Sequence, residues 1–302
     1  MTWPVDALAL PVILVPGRFA APVVRAAPLQ QEPGERRAMI PFPRINPNII
    51  EIGPLKLRWY GLMYVLGFLA AYFLTSRQKR ARRLGLQGGS LQDLIFYLAL
   101  GLILGARLGY LLFYQFPNYH YYLEHPLEII AIWHGGMSFH GGLIGAILAG
   151  VLYCRRRGLP ILEVADTIIV SAPVGIGLGR LGNFINGELF GRPTNVPWAM
   201  VFPDSGGVPR HPSQLYEAAL EGLVLFLILW KLKDKNFRPG ALVCVFLGGY
   251  GAFRFLVEYV REPDPQLGLF LGFLSMGQIL CLTMIFGALL LWLLLPKPTK
   301  KQ

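Results

Sequence analysis

The stretch Gly179–Arg192, GRLGNFINGELFGR, decides how the rest of this chain is read. It sets Arg180, Asn183, Asn186, Glu188 and Arg192 among Gly179, Gly182, Gly187 and Gly191, directly after a run of mostly apolar residues. Polar groups crowded at the end of such a run mark the place where a helix leaves hydrocarbon. Glycines let backbone approach a ligand closely, and an arginine beside side-chain amides is equipped to hold a phosphate or a carboxylate. Two readings stand open on this stretch alone: an anion-binding site, or a re-entrant turn whose polar residues satisfy one another.

Outward from it, the chain is too apolar for a soluble domain. Of 302 residues, 54% are hydrophobic and 15% charged, with a mean hydropathy of +0.48; that composition belongs to a polytopic membrane protein. The net charge of +11 lies in short clusters between apolar runs, where it reports orientation and not nucleic-acid binding. Cys154, Cys244 and Cys281 form no CxxC, and His134 and His140, six apart, fall on different helix faces. Neither a metal site nor a disulfide framework is indicated, and no motif calls for a cofactor.

Seven apolar segments, near residues 57–76, 91–115, 136–154, 160–180, 213–232, 240–261 and 274–295, each approach the roughly twenty residues that a bilayer core requires. Basic clusters at 77–83, 155–157, 231–238 and 297–301 recur at every second boundary. The expected fold is therefore an all-α bundle of seven transmembrane helices, N-terminus outside and C-terminus cytoplasmic. The Pro-rich connection 181–212 reads as a small irregular external cap. Residues 1–38 read as a disordered leader, or as sequence ahead of a true start at Met39, with residues 39–302 forming one membrane domain. Gly101, Gly105 and Gly109, Gly141 and Gly145, and Gly175 and Gly179 are spaced as helix-packing faces.

An ionisable residue inside a span needs a reason. At 1.5 Å per residue, Arg107 lies about 24 Å and Arg254 about 21 Å from the cytoplasmic starts of their helices, both in the outer leaflet. Glu258 and Arg261 share a helix face with Arg254. Arg180, His140, Tyr60, His211, Tyr216, Glu217 and Glu221 all start or end spans at that level. Singly they have plainer readings: Arg107 snorkels, Glu217 caps a helix, His140 is a hydrogen-bonded structural histidine. Asp166, in the other half of its span, reads as structural. Three or four arginines at one depth repel unless an anion joins them, and a lipid phosphate is the anion at hand. Two functions fit: an enzyme acting on an anionic phospholipid, or a transporter or flippase for an organic or lipid anion. A transporter implies internal repeats and a midplane site; no repeat is evident, which favours the enzyme.

The residues also resemble a family, the bacterial prolipoprotein diacylglyceryl transferases. Gly179, Arg180, Gly182, Asn183, Phe184, Asn186, Glu188 and Gly191 fill each position of its signature, and RWYGLMY (58–64), GGMSFHGG (135–142), HPSQLYE (211–217) and the run Gly248–Asp264 are similar to its other conserved stretches. The resemblance covers about Met39 to Leu295. It implies a multi-pass enzyme of the bacterial inner membrane, its active site facing the outer leaflet. The activity it implies is transfer of diacylglycerol from phosphatidylglycerol to the lipobox cysteine in the signal peptide of a prolipoprotein. It implies that Arg180 and Arg254 clamp the phosphate with Arg107 and Arg261 in the same cluster. His140 would serve as base for the thiol, or else the arginines lower the thiol's pKa. Asn183, Asn186 and Glu188 would position the headgroup beside Gly191, Glu258 would orient Arg254, and Tyr60 and Tyr250 would hydrogen-bond substrate.

Overall fold

The computed structural model describes residues 40–43, 45–52, 55–262, 269–270 and 274–295; the leader through Met39 and the basic run 297–301 lie outside them. Three short strands, β1 (Ile40–Pro41) and the hairpin of β2 (Asn48–Ile52) with β3 (Leu55–Arg58), lead into α1 (Trp59–Ser76). Then come α2 (Lys79–Arg83), α3 (Gly89–Tyr114), the short α4 (Tyr119–Glu124) and α5 (Leu127–Ile130), and α6 (Phe139–Arg157). The second half holds α7 (Ile161–Ile169), α8 (Ala172–Asn186), β4 (Met200–Val201), α9 (Ser213–Glu217), a π-helical turn (Ala218–Val224), α10 (Leu225–Leu232) and α11 (Ala241–Glu258). A two-strand pair, β5 (Leu269–Phe270) and β6 (Leu274–Ser275), precedes α12 (Met276–Leu294).

Among the described residues, α1, α3, α11 and α12 are each long and apolar enough to cross a membrane, and α7 with α8 makes a fifth candidate bent by 42°. The bend has a local cause. Pro173 in the first turn of α8 has no N–H to return to the preceding turn, and Ser171 Oγ instead donates to Ile168 O at 2.8 Å,. Large apolar side chains such as Phe96, Leu104, Leu148, Leu289 and Leu293 point outward, more than half exposed, as a bilayer-facing surface requires and a water-facing one does not tolerate.

The expected glycine faces hold for α3 and α6 but not for Gly175 and Gly179, where an added Cβ meets no atom within 4 Å among the described residues. A Cβ placed on Gly101 would stand 2.6 Å from Ala149 Cβ, and one on Gly109 would stand 2.7 Å from Gly141 Cα, so α3 and α6 pack backbone to backbone,. Gly177 of α8 meets Gly222 of the π turn in the same way, with 2.7 Å between a Cβ on Gly222 and Gly177 Cα. At one end of the bundle Asp166 ties elements together: it accepts the N–H of Gly240 at 2.9 Å and of Val243 at 3.0 Å, and pairs with Arg80 at 3.2 Å. That is the structural role its position suggested.

Candidate active site

The signature stretch is part helix and part loop. Its first half is the last two turns of α8, and the helix ends at Gly187, whose left-handed φ of 70° closes it while its N–H returns to Phe184 O,. The irregular connection accordingly begins at Gly187 and not at Leu181. Beyond it Leu189 holds a φ of 59°, a conformation that costs a leucine energy and persists only where neighbours enforce it,. The start of α9 does so: Gln214 Nε2 donates to Glu188 O at 2.6 Å and Ser213 Oγ to Leu189 O at 3.1 Å. Gly191 is clamped between His211 and Val260; its N–H donates to His211 O at 2.8 Å, and a Cβ would lie 2.8 Å from His211 Cβ. Only glycine fits there.

These contacts aim the polar side chains inward. Asn183 and Asn186 both donate to Glu188 Oε1, at 2.8 and 3.2 Å, and Tyr60 of α1 packs on Gly182. One turn before Asn183, Arg180 Nε meets Glu217 Oε2 at 2.6 Å. Glu217 is fully buried and shared: its Oε1 takes Arg261 Nη1 at 3.0 Å and faces Arg254 Nη1 at 3.5 Å. Glu221, equally buried, lies 4.0 Å from Arg180, and Glu258 holds Arg254 Nη2 at 2.8 Å. Tyr250 stands beside Arg180. The sequence correctly brings Arg180, Tyr250, Arg254, Glu258 and Arg261 together. Glu217 and Glu221, expected at the level of the arginines, are the carboxylates these cations meet, and Glu217 is more than the helix cap of its plainer reading. The anion that keeps the arginines from repelling one another is therefore in the chain itself: three cations meet three carboxylates.

Arg107 stands elsewhere, and His140 hydrogen-bonds to no member of the cluster among the described residues. Each hydrogen bond that Arg107 makes goes to a backbone carbonyl: Nε to Ile129 at 2.9 Å, Nη1 to Gly135 at 2.7 Å and Gly136 at 3.1 Å, and Nη2 to Glu128. It pins the segment between α3 and α6 and is not part of the glutamate-arginine cluster. His140, on the first turn of α6, is exposed, and its ring makes no hydrogen bond among the described residues, so the hydrogen-bonded structural role is absent. In the cap, His211 Nδ1 lies 3.1 Å from Tyr216 Oη, which also accepts from Trp198 Nε1 at 2.6 Å; burial holds the His211 imidazole below its usual range.

A family model described as prolipoprotein diacylglyceryl transferase matches residues 47–294. The chain belongs to this family. It is 57% identical over 243 residues to the phosphatidylglycerol–prolipoprotein diacylglyceryl transferase of Geobacter sulfurreducens, covering 80% of this chain and 92% of the relative. Proteins of the same name from Bordetella avium (54% over 266 residues, 87% and 100% covered) and Vibrio vulnificus (54% over 254 residues, 83% and 92%) are similar throughout the same region. The match to the transferase family spans both the signature loop and α12, so it takes in the whole cluster around Glu217.

Proposed function

We propose that this chain transfers the diacylglyceryl group of phosphatidylglycerol to the lipobox cysteine thiol in the signal peptide of a secreted prolipoprotein, with glycerol phosphate as the leaving group. The observation that carries the reading is the partly buried set Arg180, Arg254 and Arg261 gathered on the buried Glu217, in a chain more than half identical to relatives named for this reaction. In the reaction a sulfur–carbon bond forms, the bond from that carbon to the phosphate oxygen breaks, and the thiol proton passes to a base. Arg180 and Arg254 supply donors preorganised for charge that grows on the departing phosphate. Arg254 Nη1 is buried without a hydrogen bond among the described residues, a donor ready for a phosphate oxygen. Asn186 Oδ1, likewise buried and unbonded, is an acceptor for a headgroup hydroxyl, with Asn183, Glu188 and Tyr60 around it. His140, open to an incoming peptide, takes the thiol proton.

The seven-span topology belongs to the same reading. α6 and the continuous helix Ser213–Leu232 complete the count, and the basic segments near Arg80, Arg157 and Lys233 gather at the Asp166 end, opposite the cluster. Basic segments at the end opposite the cluster support an active site in the outer leaflet of the inner membrane, with N-terminus outside and C-terminus inside. The deciding experiment is mass spectrometry of a lipobox peptide incubated with purified protein and phosphatidylglycerol. A gain of one diacylglyceryl unit on the cysteine is expected; an unchanged peptide, with lipid redistributed between leaflets, would instead establish a transporter.

A further inference from the structure

In the sequence α12 is an apolar span with no part in the chemistry, yet its first turn touches the cluster. Ser275 is its N-cap: Oγ accepts the N–H of Gln278 at 3.1 Å, and Gln278 Oε1 accepts the N–H of Ser275 at 3.0 Å,. The hydroxyl hydrogen remains, and Ser275 donates it to Glu258 Oε1 at 2.9 Å. All three side chains are buried. The other oxygen of Glu258 holds Arg254. Gly277 lies directly against the same carboxylate: a Cβ there would stand 2.7 Å from Glu258 Cδ and nearer still to Oε1. Gly277 sits in a helix with no positive φ, where alanine is the better former, so its backbone gives glycine no advantage. The space taken by the Glu258 carboxylate does.

We propose that the first turn of α12 is the mount for Glu258, with Ser275 and Gly277 as positioning residues that fix its carboxylate and, through it, the Arg254 guanidinium. The inference rests on the reading of Arg254 as a phosphate clamp. A carboxylate held at one oxygen by a hydroxyl and walled at its carbon by backbone has one orientation left, so the arginine it carries is preorganised before lipid arrives. Without the mount, Glu258 pivots and Arg254 has to be ordered at each turnover.

The test uses the full chain in phosphatidylglycerol vesicles with a lipobox peptide. Gly277→Ala is expected to leave thermal stability unchanged or raised while lowering kcat/KM for lipid roughly tenfold, and Ser275→Ala to lower it by a similar factor, about the effect of one charge-assisted hydrogen bond. Ser275→Thr, which keeps the hydroxyl, should stay within about threefold of wild type on the same scale. A role through Glu258 is separated from simple capping by a double-mutant cycle with Glu258→Gln, read on the dissociation constant for phosphatidylglycerol so that low turnover does not hide it. Each α12 substitution should cost less than about twofold in that background. Full additivity there, or wild-type activity in folded Gly277→Ala, would overturn the mount. Failure of the wild-type chain to lipidate the peptide would instead remove the clamp reading, and the mount with it.

Discussion

Asp166 and Glu217 are both fully buried carboxylates, at opposite ends of one bundle, and their partners differ in kind. Asp166 accepts two backbone N–H groups that are fixed by the fold and one arginine. Among the described residues Glu217 is met by three arginine side chains, delivered from α8, α11 and the residues just past α11. Around Asp166 each oxygen accepts a backbone N–H, while Arg80 Nη1 makes no hydrogen bond among the described residues. Around Glu217, Arg254 Nη1 and both oxygens of Glu221 are buried with no hydrogen-bond partner among the described residues. A carboxylate held by backbone stabilises one structure. A carboxylate shared among guanidiniums leaves donors over, which an entering phosphate takes without dismantling the fold.

The sharpest way to break this contrast is to remove a clamp. Arg180→Ala and Arg254→Ala are each expected to lower turnover about 10²–10³-fold in protein that still folds, as deletion of an oxyanion donor does. Lysine should rescue poorly because it lacks the planar fork. Near-normal turnover in folded Arg254→Ala would falsify the functional assignment of this end. At the other end, Asp166→Ala should cost about 3 kcal/mol of stability, since it strands Arg80 and the α11 amides, yet leave turnover per folded molecule within about threefold. Denaturation and specific activity measured on the same sample decide it, and a large loss of specific activity at normal stability would reverse the two roles.

His140 extends the comparison to a side chain with no hydrogen bond among the described residues. His140→Gln should reduce turnover about hundredfold with lipid binding intact, and part of the rate should return as pH rises toward the reference thiol value of about 8.5. Equal rates at every pH would take His140 out of the mechanism. Headgroup choice is a smaller effect. Asn186 Oδ1 and the Asn183–Glu188 pair suit the hydroxyls of a glycerol headgroup, while an ammonium would sit beside Arg180 and Arg254. A preference for phosphatidylglycerol over phosphatidylethanolamine of at least about tenfold is expected from mass-labelled lipids competing in mixed vesicles; incorporation in equal amounts would sink it. The smallest effect concerns His211. Its depressed pKa favours the neutral ring in the folded cap, so its contribution is present above the usual imidazole pKa of about 6.5 and fades as pH falls through the lower folded value. Protease nicking of residues 192–212 should increase on acidification in wild type and lose that dependence in His211→Phe.

The helices and their packing were legible because both follow from local composition: long apolar runs for spans, glycines three or four apart for close contacts. The level of the polar cluster was legible from position along each helix. Which charge meets which was not, because that depends on helix rotation. Glu217 and Arg107, both expected at one level, show the two sides of this: one is the carboxylate that three arginines share, the other ties down the segment from Glu128 to Gly136. The π turn at Ala218–Val224, which rotates α10 relative to Glu217, left no mark in the periodicity that sequence reading uses,. Ser275 and Gly277 were invisible because their partner, Glu258, arrives from the neighbouring helix.

Arg107 also bears on how the protein is made. Its carbonyl partners lie 21 to 29 residues downstream, so when α3 leaves the ribosome the guanidinium sits in an apolar helix with nothing to bond. At typical synthesis rates those partners follow roughly 1–6 s later. During that interval α3 holds its place only if the arginine reaches the aqueous surface. Its final burial then waits for α4, α5 and the start of α6 to fold over it, which makes Arg107 a checkpoint between membrane insertion of one helix and assembly of the next.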